Sequence, residues 1–374
     1  MKNKIAVIES QFLLKYDEPE KGITVGGTQR YAFYLGKLLK EQGYNVIFLT
    51  KACRNYEVTF ENIGVIKAIV AQNGTRGNKT FSKAVYEFCK NCSADLVCYS
   101  DLQIGYFYCY PNSFAIQHGI DWDGPSNRLK TIIQNFMYIR AARKFKKIIC
   151  VDTNYINWCR IKDKSVFNDK KRMIYIPNFA DEDMFLYKYR QWDASDKPYV
   201  LLYPRRLVPH RGYDIFLEMC EVLYNKGYNI KPILAFEDFA EEQLKELTEK
   251  YSCPFEVVHP KMNEINQLYY DSFISYIPTK WSEGTSLSAI ESLCTGCPVI
   301  VSDVGGLPNV VIKGFNGDIV EPDVEAFVRA TEKVLKNPHI RNKWAKNCKE
   351  IRFAFGLKRW NQQVLEVIKE ISKN

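Results

Sequence analysis

The stretch SEGTSLSAIESLCTGCPVI, residues 282–300, contains the signals that decide the fold. Thr285 and Ser286 are good helix N-caps, and the apolar and small residues after them predict a packed helix. Gly296 predicts the end of that helix, and Pro298 reinforces it. The apolar letters VIV that follow predict a short buried strand. The stretch therefore reads as a loop, a helix and a strand, in that order.

Two glutamates flank the start of this helix. Glu283 lies in the loop and Glu291 about two turns into the helix, eight positions later, which spans on the order of 12 Å. A helix start offers backbone N–H groups and a positive dipole end to a phosphate. The pair could thus hold two hydroxyl-rich groups joined by a diphosphate, as in a nucleotide-sugar. The alternative is a solvated Glu283 beside an ordinary surface helix.

Outward from this stretch, short apolar strands alternate with helical patterns along the whole chain. Segments such as KIAVIE, NVIFLT, YVLLYP and PVIVSD are typical of buried parallel strands. The pattern is interrupted by the charged stretch WDASDKP at 192–198, and we expect the domain boundary near residues 180–197. It predicts an α/β protein with two domains, each a parallel sheet with helices on both faces. Ligands of such sheets bind at the carboxyl ends of the strands.

Bulk composition limits the class of protein. The chain has 374 residues, 46% of them hydrophobic, and a formal net charge of +9. That composition excludes a disordered chain, and the moderate charge favours acidic partners over a dedicated nucleic-acid role. The N-terminal apolar run is too short for a signal peptide, and no run of about 18 apolar residues suggests a membrane span. We therefore expect a cytoplasmic protein whose twelve cysteines are buried thiols.

Three strand-end motifs carry candidate chemistry. Gly26 and Gly27 precede a helix and permit close approach of a ligand to the backbone, although a flexible loop is an equal reading. The segment YPRRLVPHRG at 203–212 brings arginines close together that suit a diphosphate, or form a solvated loop. His118 ends an apolar strand, where it could donate to a sugar hydroxyl or to a developing charge, or serve as a structural histidine.

Two further patterns remain open. Asp121 and Asp123 form an Asp-x-Asp pair that could hold a divalent metal against a diphosphate, as in single-domain glycosyltransferases. Residues 128–147 predict a basic helix. Its cations are spaced i, i+3, i+4 and i+7, so they predict one stripe, which fits an anionic membrane surface or a solvated face. That stripe comprises Arg140, Arg143, Lys144 and Lys147.

These residues together resemble the group 1 glycosyltransferases of family 4, which retain anomeric configuration and have the GT-B fold. The strongest match is WSEGTSLSAIESLCTGCPVIVSDVGGLPNVVIKGFNGDIVEP at 281–322, with its E-x7-E spacing. IPNFADEDMF at 176–185 also fits. In RRLVPHRG, Arg205 stands where the family has glycine and Arg211 where it has lysine.

The resemblance implies two Rossmann-like, doubly wound domains facing a central cleft. Residues 1–185 would form the acceptor domain, with 358–374 crossing back onto it, and 190–357 the nucleotide-sugar donor domain. By the resemblance, Glu291 binds the ribose, Glu283 the donor sugar, and Arg206 with Arg211 the leaving diphosphate, so that no metal is needed. His118 would face the transferred sugar. The remaining donor-binding residues implied are Gly26, Gly27, Gly284, Thr285, Ser286 and Leu287.

The expected activity is metal-independent transfer of a hexose or related sugar from a nucleotide-diphosphate sugar. The acceptor would be a glycan or a lipid-linked molecule of cell-surface polysaccharide biosynthesis, at the inner face of the plasma membrane. Three alternatives stay open: another GT-B enzyme such as a nucleotide-sugar epimerase, a non-catalytic membrane-docking partner subunit of this fold, and an anion or nucleic-acid binding module.

Overall fold

The chain forms two compact units, as seen in its computed structural model. The first comprises residues 1–118, 125–176 and 361–374, and the second residues 119–124 and 177–360. The residues that the structure describes are 3–23, 26–60, 62–71, 74–119, 124–125, 128–162, 172–193, 195, 198–236, 241–261, 264–281 and 283–373.

The first unit is built on an eight-stranded sheet with the order β3-β4-β2-β1-β5-β6-β7-β8, parallel except between β3 and β4. Its strands are β1 Lys4–Ile8, β2 Asn45–Ala52, β3 Tyr56–Phe60, β4 Gly64–Val70, β5 Leu96–Tyr99, β6 Ser113–Gln117, β7 Lys147–Cys150 and β8 Met173–Tyr175. Its helices are α1 Gly27–Glu41, α2 Gly74–Asn91, α3 Arg128–Ala142 and α4 Asn154–Lys162. The apolar β1 pairs with β2 and β5, and its residues from Ile5 onward are buried.

The second unit is built on a parallel six-stranded sheet with the order β11-β10-β9-β12-β13-β14. Its strands are β9 Tyr199–Tyr203, β10 Ile230–Ala235, β11 Glu256–Val258, β12 Ile274–Ile277, β13 Val299–Ser302 and β14 Gly317–Val320. Its helices are α5 Tyr213–Asn225, α6 Glu241–Lys250, α7 Ile265–Asp271, α8 Leu287–Thr295, α9 Val324–Lys336, α10 Pro338–Ala354 and α11 Leu357–Lys373, which runs on into the first unit. Short 3-10 turns occupy Pro19–Lys21, Leu102–Gly105, Pro209–Arg211 and Leu307–Asn309.

Residues 283–300 fold as their pattern predicts. Ser286 caps α8 by accepting a hydrogen bond from the Ala289 amide at 3.5 Å, and Gly296 ends the helix with a φ of 93°. Only glycine adopts that angle readily, so the sharp turn into β13 needs it. Residues 289–295 of α8 are all buried. The alternative of an ordinary surface helix is therefore wrong.

The predicted basic stripe at 128–147 is also wrong. α3 ends at Ala142, and the chain turns into β7, so the helical period does not continue to the last two cations. The Lys144 ammonium turns inward and donates to the backbone carbonyl of Phe107 at 3.2 Å. Lys147 is buried in β7, where its ammonium lies 2.8 Å from the carboxylate of Glu370. Only the two arginines of the stripe remain exposed.

Hydropathy gives no membrane span in the part of the chain that the structure describes. None of its helices is both long enough and apolar enough to cross a bilayer. The cysteines are free thiols, most of them buried, and both members of the Cys294 and Cys297 pair lie in the core of the second unit. Within the same described ranges, His, Cys, Asp and Glu side chains form no group of three or more that could hold a metal ion.

Candidate functional site

A cluster of charged side chains surrounds Glu283 in the loop between β12 and α8. Its Oε2 accepts three hydrogen bonds: from Arg205 Nη2 at 2.6 Å, from Arg211 Nη1 at 2.6 Å and from Thr279 Oγ1 at 2.9 Å. None of the described residues bonds Oε1. We call these four residues the guanidinium cluster. It holds one carboxylate oxygen rigidly and leaves the other available beside the start of α8.

The arginines at the end of β9 do not act alike. Arg205 is 9% exposed, and besides Glu283 it contacts Thr279. Arg206 is exposed and has no side-chain partner among the described residues. The Arg206 and Arg211 backbone carbonyls both accept from Tyr203 Oη, at 3.2 Å and 3.3 Å, so these two residues lie in one turn, and their shared role at a diphosphate stays a prediction. Arg205, at the position where the resemblance has glycine, is the buried partner of Glu283.

The two arginines determine the pKa of Glu283. Burial alone would raise the pKa of Glu283, but the Arg205 and Arg211 guanidiniums outweigh it and lower the pKa to about 2. Burial and the neighbouring Arg211 lower the pKa of Arg205. His210 has its pKa lowered by burial and then by Arg211. Two guanidiniums against one carboxylate leave the cluster net positive, which suits an anionic ligand.

Hydrogen bonds from two segments fix the loop that carries Glu283. Asn178 donates from its backbone amide to Thr285 Oγ1 at 2.9 Å and from Nδ2 to the Thr285 carbonyl at 2.6 Å. On the other side, the Gly306 amide donates to the Glu283 carbonyl at 2.9 Å. At Gly305, with a φ of 55°, an added Cβ would lie 2.0 Å from that carbonyl oxygen. The IPNF and GGLP segments thus hold the loop from both sides.

The other predicted donor-binding residues of this unit lie at the start of α8 or within it. Gly284, Thr285 and Ser286 are buried in the loop, and Leu287 is the first helical residue. Glu291 is only 3% exposed, and Tyr269 Oη donates to its Oε2 at 3.3 Å. The two glutamates thus occupy the loop and the helix body as predicted, both of them largely buried.

His118 follows β6 in the first unit. Its ring meets that of Tyr31 edge to face, with centroids 5.1 Å apart. The ring donates one hydrogen bond to the backbone of Ser100, and its Nε2 is buried without a partner among the described residues. Burial lowers the pKa of His118 to about 4. A neutral ring whose proton is already donated presents Nε2 as an acceptor. The role of His118 toward a ligand stays a prediction, in which Nε2 would act as an acceptor.

A second buried carboxylate lies beside His118, at the end of β1. Glu9 is 4% exposed, and its Oε2 accepts from Ser100 Oγ at 2.5 Å. Its Oε1 accepts from the Gln11 amide at 3.2 Å and from Gln29 Nε2 at 3.4 Å. Burial raises the pKa of Glu9, against the hydrogen bonds that lower it. We call Glu9, Gln29, Ser100 and His118 the Ser100 cluster.

The two predicted glycines border this cluster. Gly26 is the N-cap of α1 and Gly27 its first residue, with no side-chain cap. An added Cβ on Gly26 would lie 2.2 Å from Gln29 Oε1. The bare backbone thus lets Gln29 fold back over the helix start and reach Glu9. Strands β1, β5 and β6 are adjacent and parallel. Glu9, Ser100 and His118, which directly follow them, therefore lie together at the carboxyl end of the sheet.

Asp121 and Asp123, the candidate metal ligands, lie outside the described residues. Three residues were overlooked in the sequence although signals for them exist. Asn178 lies within the quoted IPNF segment, and Thr279 just beyond the carboxyl end of β12. Glu9 directly follows the first apolar strand, which is where the rule of strand ends directs attention.

Comparison with known sequences covers most of the second unit. Residues 188–351 match the family model described as "Glycosyl transferases group 1". One relative, from Escherichia coli, is described as a UDP-Gal:alpha-D-GlcNAc-diphosphoundecaprenol alpha-1,3-galactosyltransferase. It is 23% identical over 246 residues, which is 62% of each chain. The chain thus matches less than two thirds of that enzyme.

Solved structures define the fold over the whole chain. Sucrose-phosphate synthase from Thermosynechococcus elongatus superposes with a TM-score of 0.78 at 18% identity, covering 99% of both chains. The Anabaena protein HepE in complex with UDP superposes with a TM-score of 0.73 at 14% identity, covering 98% of this chain and 100% of that one. The protein has the GT-B fold, with two α/β domains built on parallel sheets.

Proposed function

We propose that the protein is a retaining glycosyltransferase that needs no metal. It transfers a hexose or related sugar from a nucleotide-diphosphate sugar to a glycan or lipid-linked acceptor in cell-surface polysaccharide biosynthesis. The observation that carries the proposal is the guanidinium cluster, a buried carboxylate held by two arginines at the start of α8. The family match over 188–351 and the E. coli relative, named for a lipid-linked sugar substrate, support it.

The chemistry follows from charge. Transfer breaks the bond between the anomeric carbon of the donor and its phosphate oxygen, and the acceptor oxygen forms the new bond on the same face. The acceptor proton goes to the departing diphosphate. Negative charge develops on that diphosphate, and preorganised cations stabilise it. Arg211, whose side chain is 25% exposed, and the exposed Arg206 supply those cations in this proposal, with the amides of Gly284 to Leu287 beside them.

The two glutamates divide the donor between them. Glu283 Oε1, which has no partner among the described residues, accepts from hydroxyls of the transferred sugar. Arg205 keeps that carboxylate ionised and oriented, so it is a positioning residue. Glu291 accepts from the ribose hydroxyls. His118 accepts through Nε2 from a sugar hydroxyl, and Gly26 and Gly27 allow the diphosphate to approach the start of α1.

The test is the thermal stability of the protein with UDP, GDP, ADP and CDP in turn, each with EDTA. A nucleotide at about 100 times its dissociation constant adds roughly 2.7 kcal/mol to the free energy of unfolding. We expect one nucleotide to raise the melting temperature with EDTA present. Glu291→Gln removes the charged ribose acceptor and should abolish the rise. Glu325→Gln, at an exposed glutamate of α9, is the matched control and should keep it.

Three outcomes would contradict the proposal. If no nucleotide raises the melting temperature, the assignment of the donor site is wrong. If the rise in melting temperature requires a divalent metal, the proposed metal independence is wrong. Once the nucleotide is known, its sugar conjugate is incubated without an acceptor and followed by NMR. Epimerisation of the sugar under those conditions would replace transfer by the alternative enzymatic chemistry.

A further inference from the structure

Helix α3 of the first unit exposes an apolar face. Its four large apolar residues there are spaced i, i+3, i+4 and i+7, so they lie on one side of the helix. They are Leu129, Ile132, Ile133 and Phe136, with exposed fractions of 65%, 64%, 51% and 59%. We call this set the apolar stripe. It is not the core-facing side of the helix, since Tyr138, Ala141 and Ala142 are the residues that α3 buries.

Exposing four large apolar side chains to water is energetically unfavourable. Single exposed apolar residues are ordinary, but contiguous exposed patches mark contacts with another molecule or a membrane. The described residues leave all four side chains at least half exposed. The stripe therefore needs an occupant.

Charge around the stripe identifies the occupant. Residues 128–151 contain no Asp or Glu. Arg128 is exposed at the first residue of α3, Arg140 is exposed near its end, and Arg143 is exposed in the turn that follows Ala142. An apolar centre with cationic ends matches an interfacial helix on anionic lipids. The same cations would oppose a second copy of this chain, whose net charge is +9.

We propose that α3 docks the protein on a membrane that carries anionic headgroups. The apolar stripe enters the boundary between headgroups and acyl chains, and the three arginines contact lipid phosphates. The docking does not rest on the proposed transfer reaction, although it would bring the first unit to a lipid-linked acceptor. It also replaces the stripe of four cations predicted from the sequence with two of those cations and a different, apolar face.

The experiment is flotation of the full chain with vesicles of phosphatidylcholine containing 30% phosphatidylglycerol, and with phosphatidylcholine alone. The wild type should float with the anionic vesicles, and less so in high salt. Phe136→Ser should weaken partitioning at least about tenfold, because the ring no longer enters the apolar layer. Phe353→Ser removes an aromatic ring that is 71% exposed on α10 of the second unit, and it should float like the wild type.

Arg140→Gln with Arg143→Gln should weaken binding to anionic vesicles more than tenfold, at about fivefold for each charge. Far-UV circular dichroism and the nucleotide-induced rise in melting temperature should be unchanged in every variant, so that a failure of docking is separable from a failure of the donor site. Equal flotation of wild type and Phe136→Ser would overturn the proposal, as would equal binding to neutral vesicles. A wild-type dimer that Phe136→Ser makes monomeric, without vesicle binding, would assign the stripe to a second copy.

Discussion

Glu283 and Glu9 are the same residue type at similar burial, yet their proton affinities move in opposite directions. Glu283 is 7% exposed and Glu9 4%. The pKa of Glu283 falls to about 2, whereas the pKa of Glu9 is raised. Burial raises both. The difference lies in the partners, since Glu283 meets two guanidiniums while Glu9 meets a hydroxyl and amides.

Hydrogen bonds from neutral donors therefore do not compensate the lost hydration of a buried carboxylate, whereas two cations do. This difference determines which ligand chemistry each cluster suits. The guanidinium cluster keeps a fixed negative charge within an excess of positive charge, which suits a ligand with both hydroxyls and phosphates. The end of the sheet that carries Glu9 and His118 offers hydroxyl, amide and imidazole groups, which suit a ligand rich in hydroxyls.

The largest effect should come from removing a cation. Arg205→Met leaves Glu283 buried with one partner fewer, and breaking a buried ion pair typically costs about 3 to 5 kcal/mol. We expect the free energy of unfolding, measured by urea titration with circular dichroism, to fall by about 3 kcal/mol. Arg206→Met, at the exposed neighbour, is the matched control and should stay within about 0.5 kcal/mol.

The two arginine variants separate support of Glu283 from binding of the ligand. If Arg206→Met destabilised the protein as much as Arg205→Met, the distinction between a buried and an exposed arginine would be wrong. An unchanged stability of Arg205→Met would mean that Arg211 alone satisfies Glu283.

The pH dependence of stability should have opposite sign at the two carboxylates. Glu283 has a folded pKa of about 2 against an ordinary 4.5, so its stabilisation is present above pH 4.5 and is lost as pH falls toward 2. Glu9 has a raised folded pKa, so its contribution is fullest below pH 4.5 and declines as pH rises through that pKa. The advantage of wild type over Glu283→Gln should thus grow from pH 3 to pH 5, by about 2 kcal/mol.

The advantage of wild type over Glu9→Gln should shrink over a range that begins near pH 4.5. Both series use urea titrations at half-unit intervals from pH 3 to pH 8. Glutamine keeps the size of each side chain and removes only its ionisation, so the difference reports the charge. Parallel trends for the two variants would remove the contrast between the clusters.

Much of the fold was predictable because its signals are local. The strand alternation, the Ser286 cap and the Gly296 stop each depend on a few neighbouring residues. The partners of Glu283 were less accessible, because Arg205 and Arg211 lie 78 and 72 positions away and only the tertiary fold brings them together. The basic stripe failed for a related reason, since the turn after Ala142 converts helical spacing into an inward lysine and a strand residue.

The smallest expected effect concerns His118, which lies in the same cluster as Glu9 and tests the comparison with the guanidinium cluster. Because burial lowers its pKa to about 4, the ring stays neutral from pH 5.5 to pH 9. If Nε2 accepts from a sugar hydroxyl, His118→Phe should lower kcat/KM with the identified donor about tenfold, which is the worth of one neutral hydrogen bond. The ratio of wild type to variant should be constant over that pH range. A ratio that changed near pH 6.5 would show that His118 titrates and acts as a charged donor, and would return it to the sequence-based reading.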